Sequence, residues 1–183
     1  MAKICVFTGA SQVDGVYRKT AQEVGQLIGQ RGHELVYGGS NLGLMGEVSN
    51  NAHENGAKVT EIIPELWKEK INPSYKSIVT KDFAERKNKM QDISDAFISL
   101  PGGVGTLDEI FEVIVSKQIK RYNKPHAIVN LYGFYTPLLT QLKKIDHVGF
   151  LTKSTLELES SLDKLYYEAF TPLEAIKHIE NNI

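Results

Sequence analysis

Three short apolar runs in this chain each end in a glycine-containing turn, and each is followed by a segment with helical periodicity. Ile4 to Thr8 runs into Gly9-Ala10-Ser11, Glu34 to Tyr37 into Gly38-Gly39-Ser40, and Ala96 to Leu100 into Pro101-Gly102-Gly103-Val104-Gly105-Thr106. No other feature limits the fold as much. Short runs rich in β-branched and aromatic residues and closed by glycine read as strands, and apolar residues at every third or fourth position read as helices. Alternating strands and helices build a parallel sheet with helices on both faces. Ligands of such sheets gather in the crevice at the carboxyl ends of the strands, and all three glycine turns lie at such ends.

The rest of the chain continues the alternation. Helices are expected over Tyr17 to Gln30, closed by Gly32, and over Asn41 to Asn55, stopped by Gly56. A third strand covers Lys58 to Ile63, and Ile78-Val79 is a short one. Glu65 to Ser77, polar and holding Trp67 and Pro73, reads as a loop with a short helical piece, either part of a lid or an ordinary surface loop. Helices follow over Asp82 to Ser94 and from Leu107 to about Ile119. Then come a strand from His126 to Leu131, a helix from Gly133 to Ile145 and a terminal helix from Thr171 to Ile179. Thr171 is placed to cap that last helix, with Pro172 in its first turn. Residues 146–170 carry no motif. The expected architecture is α/β, a Rossmann-like three-layer αβα fold with a mostly parallel central sheet, as a single domain over 1–183.

Composition enters as a set of exclusions. With 183 residues and a formal net charge of −1, the chain has no general attraction for nucleic acid or an anionic membrane, so any anion site must be local. No apolar stretch approaches the roughly 20 residues of a membrane span, and no signal segment precedes the first strand, so a cytoplasmic location is expected. The single cysteine, Cys5, lies in the first apolar run and reads as an inert buried thiol. The five histidines show no metal-ligand spacing, so no metal is expected. The first glycine turn lacks G-x-G-x-x-G, which argues against a dinucleotide cofactor.

The turn after Leu100 carries the strongest chemical signal. A strand, a glycine turn and a helix together present unpaired backbone N–H groups and a positive dipole end to an anion. Glu109, three residues past Thr106, has two readings. It can close a capping box with Thr106, or it can serve as a carboxylate beside a phosphate cradle. At about 100° per residue, Glu109, Glu112, Ser116 and Lys120 share one arc, and Leu107, Ile110, Phe111, Ile114 and Gln118 lie opposite. In the Asp82–Ser94 helix, Phe83, Arg86, Met90 and Ile93 share a stripe, which puts a guanidinium on an apolar face. Such a charge needs a partner: either a carboxylate such as Asp82, Asp92 or one on the next helix, or a ligand phosphate or ribose. Gly43 and Gly46 sit inside a helix start at a cost of about 1 kcal/mol each. Close approach of a ligand, of another backbone or of the sheet would account for them. Ser11 can donate to a ligand or cap the helix after it.

Pro101 to Glu109, PGGVGTLDE, is similar to the PGGxGTxxE signature of the LOG family. Glu85-Arg86-Lys87 ahead of Met90 resembles that family's second motif, and Tyr37-Gly38-Gly39-Ser40 with Gly43-Leu44-Met45-Gly46 resembles its first glycine loop. The likeness runs from Ile4 to about Leu139. It implies a nucleoside 5′-monophosphate phosphoribohydrolase that releases a free base and ribose 5-phosphate from a purine nucleotide, cytokinin-type or AMP, without a cofactor and as a homodimer. On that reading Arg86 and Glu109 are catalytic. Lys87, Gly102, Gly103, Val104, Gly105, Thr106, Gly9, Ser11 and Gly39 bind substrate, with Arg86 holding Glu109 ionised by lowering its pKa. A non-catalytic nucleotide carrier on the same crevice is the competing reading. Family members often carry Met-His where this chain has Phe83-Ala84, which bears on base preference.

Overall fold

The computed structural model describes residues 1–13, 15–151 and 158–183. Seven strands form one sheet: β1 (Lys3–Phe7), β2 (Glu34–Tyr37), β3 (Val59–Pro64), β4 (Lys76–Thr80), β5 (Ala96–Ser99), β6 (His126–Val129) and β7 (Tyr167–Ala169). Their order is β4-β3-β2-β1-β5-β6-β7, and every pairing is parallel. At the centre Ile4 pairs with Ala96 and Phe7 with Ser99. The helices are α1 (Val16–Gln30), α2 (Gly43–Glu54), α3 (Phe83–Ile93), α4 (Val104–Gln118), α5 (Thr136–His147), α6 (Leu162–Leu165) and α7 (Pro172–Asn182).

The two-residue period of the central strands divides the core into layers. Ile4, Val6, Leu35 and Ile98 point to a cluster completed by Val24 and Ile28 of α1, Val48 of α2 and Ile176 of α7. Cys5, Phe7, Val36 and Phe97 point the other way, onto Met90 of α3 and Val113 of α4. A third cluster, with Ile110, Ile128, Tyr135, Leu139 and Leu165, packs α4 and α5 against the β6 side. Strands covered on both faces read as continuous apolar runs, which is why β1 and β5 stand out in the sequence.

Several expectations shift. The segment after Pro101 becomes helical at Val104, three residues before the expected Leu107. β4 extends well beyond Ile78-Val79. The motif-free stretch holds α6 and β7, the last an edge strand of three residues. Phe111, expected on the apolar side of α4, is exposed, because that helix buries Glu109, Ser116 and Lys117 along with Ile110, Val113 and Ile114. Thr171 caps α7 as expected, its hydroxyl accepting from Glu174 N at 3.2 Å. No helix among the described residues is long and apolar enough to cross a membrane.

Candidate active site

The strand order reverses between β1 and β5, and the crevice at their carboxyl ends is where this topology places a ligand. The three glycine turns are stitched together there. Thr8 Oγ1 donates to Pro101 O at 2.9 Å, Leu100 N to Phe7 O at 2.9 Å, and Met45 N to Gly9 O at 3.2 Å. Tyr135 supports the third turn from below, its hydroxyl donating to Leu100 O at 2.8 Å.

At the third turn α4 begins without a side-chain cap. Gly103 is the N-cap, and the N–H groups of Thr106 and Leu107 both donate to its carbonyl, at 3.0 and 3.2 Å. The N–H groups of Gly103, Val104 and Gly105 have no acceptor among the described residues, and all three residues are exposed. Thr106 is buried in the first turn beneath Gly102, where any Cβ would overlap its hydroxyl. The capping-box reading therefore fails. Thr106 lies inside the helix, and Glu109 turns away from the helix terminus.

Glu109 reaches α3 instead. The N-terminus of α3 is fixed by Asp82, whose Oδ1 accepts from Glu85 N at 2.8 Å, and by Glu85, whose Oε2 accepts from Lys81 N at 2.8 Å. One turn further on, Arg86 enters the protein, 7% exposed. Its Nε donates to Ile62 O at 3.1 Å, its Nη2 to Gly38 O at 3.1 Å, and its Nη1 lies 3.2 Å from Glu109 Oε1. A side chain at Gly38 would occupy the space of Nη2, so that glycine is required by the arginine. Glu109 is 8% exposed. Burial raises its pKa to about 7, and Arg86 opposes the shift without cancelling it. The expected lowering by Arg86 is therefore outweighed by desolvation. A carboxyl poised near neutrality suits proton transfer.

The other expected residues divide. Lys87 Nζ sits 2.6 Å from Asp108 Oδ2 and 2.7 Å from Glu112 Oε1, clamping α3 to α4. Burial pulls its pKa down, but its hydrogen bonds to the Asp108 and Glu112 carboxylates leave it raised overall. Gly9 lies beside Gly102 and Gly103, in the crevice. Ser11 is exposed on the same rim and does not cap α1, whose N-cap is Gly15. Gly39 has φ +76° and is buried against Ile63, so it shapes the turn while its neighbour Gly38 meets the arginine. The question over Gly43 and Gly46 resolves to backbone approach: a Cβ on either would strike Ser11 O or Asn41 O. Gly38 was within the sequence motif, but only Arg86, 48 residues away, reveals its role.

A family model described as "Possible lysine decarboxylase" matches residues 45–168. A cytokinin riboside 5′-monophosphate phosphoribohydrolase of Arabidopsis thaliana is 37% identical over 182 residues, covering 97% of this chain and 81% of the relative. The chain belongs to the LOG family. A probable LOG enzyme of the same description from Oryza sativa subsp. japonica is 39% identical over 154 residues, 82% of this chain; the aligned part is 63% of that relative's length. The LOG-family fold also extends to a solved molybdenum cofactor binding protein of Rippkaea orientalis. It has a TM-score of 0.73 at 24% identity, covering 98% of this chain and 95% of that one.

Proposed function

We propose that this LOG-family protein hydrolyses the N-glycosidic bond of a purine nucleoside 5′-monophosphate, giving free base and ribose 5-phosphate. The observation that carries the reading is the buried Arg86–Glu109 pair one and a half turns along α4 from an uncapped N-terminus. At 1.5 Å per residue, Glu109 lies about 7.5 Å along the axis from Val104, and helical side chains lean toward the N-terminus. That span suits a substrate whose phosphate sits on the amides while its anomeric carbon faces the carboxyl group. The names borne by the relatives support the same chemistry.

In this mechanism the 5′-phosphate accepts hydrogen bonds from the N–H groups of Gly103, Val104 and Gly105 and from the Thr106 hydroxyl. The helix dipole favours its charge. As the C1′–N bond breaks, the electron pair leaves with the base and positive charge develops on the ribose. Ionised Glu109 stabilises that charge, or takes a proton from the water that adds to C1′, as carboxylates do for other glycosides; the departing base nitrogen takes up a proton from solvent, so one water is consumed across the bond. Arg86 fixes the carboxyl group against rotation and supports its ionised form. Lys87 positions the helix pair through Asp108 and Glu112. The decarboxylase description finds little support beside the Arg86–Glu109 pair: a Schiff-base lysine is activated by a lowered pKa, whereas Lys87, the lysine next to Arg86, is held as an ammonium by two carboxylates. The exposed apolar stripe of Phe111, Val115 and Ile119 along α4 favours a homodimer through this face, which sedimentation tests.

The test is incubation with AMP and with isopentenyladenosine monophosphate. The reading expects free base and ribose 5-phosphate, and loss of both in a folded Glu109→Gln variant. Nucleotide binding without turnover, unaffected by that substitution, would make the protein a carrier instead.

A further inference from the structure

The opposite end of α4 carries a feature that the proposed reaction does not use. Lys117, in the last turn, is 7% exposed, and its ammonium makes no hydrogen bond or ion pair with any described residue. An ammonium at a helix C-terminus often rests on the terminal carbonyls, but these are already taken. Val115 O accepts from Ile119 N, Ser116 O from Arg121 N, Lys117 O from Lys120 N, and Gln118 O from Glu159 N. The side chain is largely desolvated while Nζ itself meets solvent, so an anion there would gain more from this ammonium than from a freely exposed lysine.

Lys117 opens on a cavity of about 380 Å³ that Lys120, Tyr122, Asn123, Glu159 and Lys164 also line. Among the described residues three ammonium groups meet one carboxylate, Glu159, which pairs with Lys164 and also acts on Lys117. Glu159 Oε2 lies 3.2 Å from Lys164 Nζ, while its Oε1 accepts from the N–H groups of Ser160 and Ser161 at 3.1 and 3.0 Å. The Tyr122 hydroxyl is turned away, donating to Gln91 at 2.8 Å. Behind Lys117, within reach of its charge, lie the imidazoles of His126 and His178, and among the described residues Glu159 is the acid that acts on it. The cavity is a half-open patch whose described side chains carry more positive than negative charge, in a chain whose net charge is −1. Its volume falls at the lower end of small-ligand pockets.

We infer that this cavity binds a small phosphate-bearing anion, held by Lys117, Lys120 and Lys164, about 20 Å along α4 from the phosphate cradle of the crevice. Burial holds Lys117 down at a pKa of about 8. An anion against its ammonium raises that value, which supplies a local signal of occupancy.

The probe is inorganic phosphate added to protein carrying ¹³C,¹⁵N-labelled lysine. The Lys117 side-chain resonance is identified by its loss in Lys117→Arg. The expected result is a saturable shift of that resonance and an upward move of its titration midpoint by about one unit, a tenfold preference of the bound anion for the ammonium form. Lys164→Met, a change at an exposed side chain, weakens the phosphate response at Lys117 and leaves AMP hydrolysis unchanged. A Lys117 resonance that phosphate does not saturate, or a response equal in Lys164→Met, overturns the proposal. Because the readout is Lys117 itself, phosphate bound only in the catalytic crevice leaves it unmoved, and the result does not depend on the enzyme reading.

Discussion

Gly38→Ala is the substitution through which the site is most open to refutation. Gly38 does not have a positive φ, so its backbone accepts alanine without strain. The effect falls on side chains instead. The new methyl takes the position of Arg86 Nη2 and lies 2.6 Å from Met45 Cε. Arg86 cannot keep both its hydrogen bonds to Gly38 O and its 3.2 Å pair with Glu109. Forcing a methyl into a packed site costs about 1–3 kcal/mol, and leaving a buried charge without its partner costs about 3–5 kcal/mol. Glu109 escapes part of that cost by keeping its proton, so its pKa moves further above about 7. With roughly 3 kcal/mol of the pair's contribution lost in the transition state, kcat/KM for nucleotide hydrolysis falls about 100-fold. The assay follows ribose 5-phosphate release across pH 5.5 to 9, with circular dichroism confirming the fold. A folded variant with kcat/KM within about threefold of the parent and the same acid limb would show that the guanidinium's position does not matter.

The parent's kcat/KM rises with pH through a midpoint near 7, set by Glu109; an acid limb near 4.5 would mean the active-site carboxyl is unshifted. The same group binds its proton more tightly folded than unfolded, so its contribution to stability is full below 4.5 and is lost as pH rises through about 7. Calorimetry of Glu109→Gln against the parent therefore shows the variant gaining relative stability between pH 5 and pH 8; a constant difference counts against the buried carboxyl. Lys87→Met releases two ion pairs whose carboxylates are partly exposed, and thermal unfolding registers no more than about 1 kcal/mol for each pair. Its KM for nucleotide stays within a fewfold of the parent, whereas a direct phosphate ligand would raise KM much further. Thr171→Ala removes the cap of α7 and costs about 1 kcal/mol, or about 2–4 °C in Tm, with activity unchanged.

The sequence carries the centre of this fold clearly and its margins poorly. β1, β2 and β5 are buried on both faces, so their side chains form apolar runs that no helix period mimics. β7 is three residues at the sheet edge, Tyr167-Glu168-Ala169, too short to show a period. In the site, Arg86 and Glu109 were legible because a guanidinium on an apolar stripe and a carboxylate beside a glycine turn both require partners. Their mutual pairing is tertiary. A local rule, the capping box, fits Thr106 and Glu109 equally well, and the start of α4 at Val104 together with the approach of α3 decides against it. The direction of the Glu109 shift was illegible for a related reason. It depends on the balance between an arginine and the loss of water, and desolvation is a property of the packed fold. Gly43 and Gly46 follow the same logic, since their need for hydrogen in place of a side chain comes from the loops at Ser11 and Asn41.

The decisive comparison is the rate of base release from AMP against that from adenosine, measured with the same preparation at pH 8. Charge-assisted hydrogen bonds from the free amides of α4 contribute about 1.5–3 kcal/mol each. Loss of two of them predicts that adenosine is cleaved at least about 100-fold more slowly than AMP. Equal rates for the two, or no base released from either, would contradict a phosphate docked on the α4 N-terminus opposite Glu109.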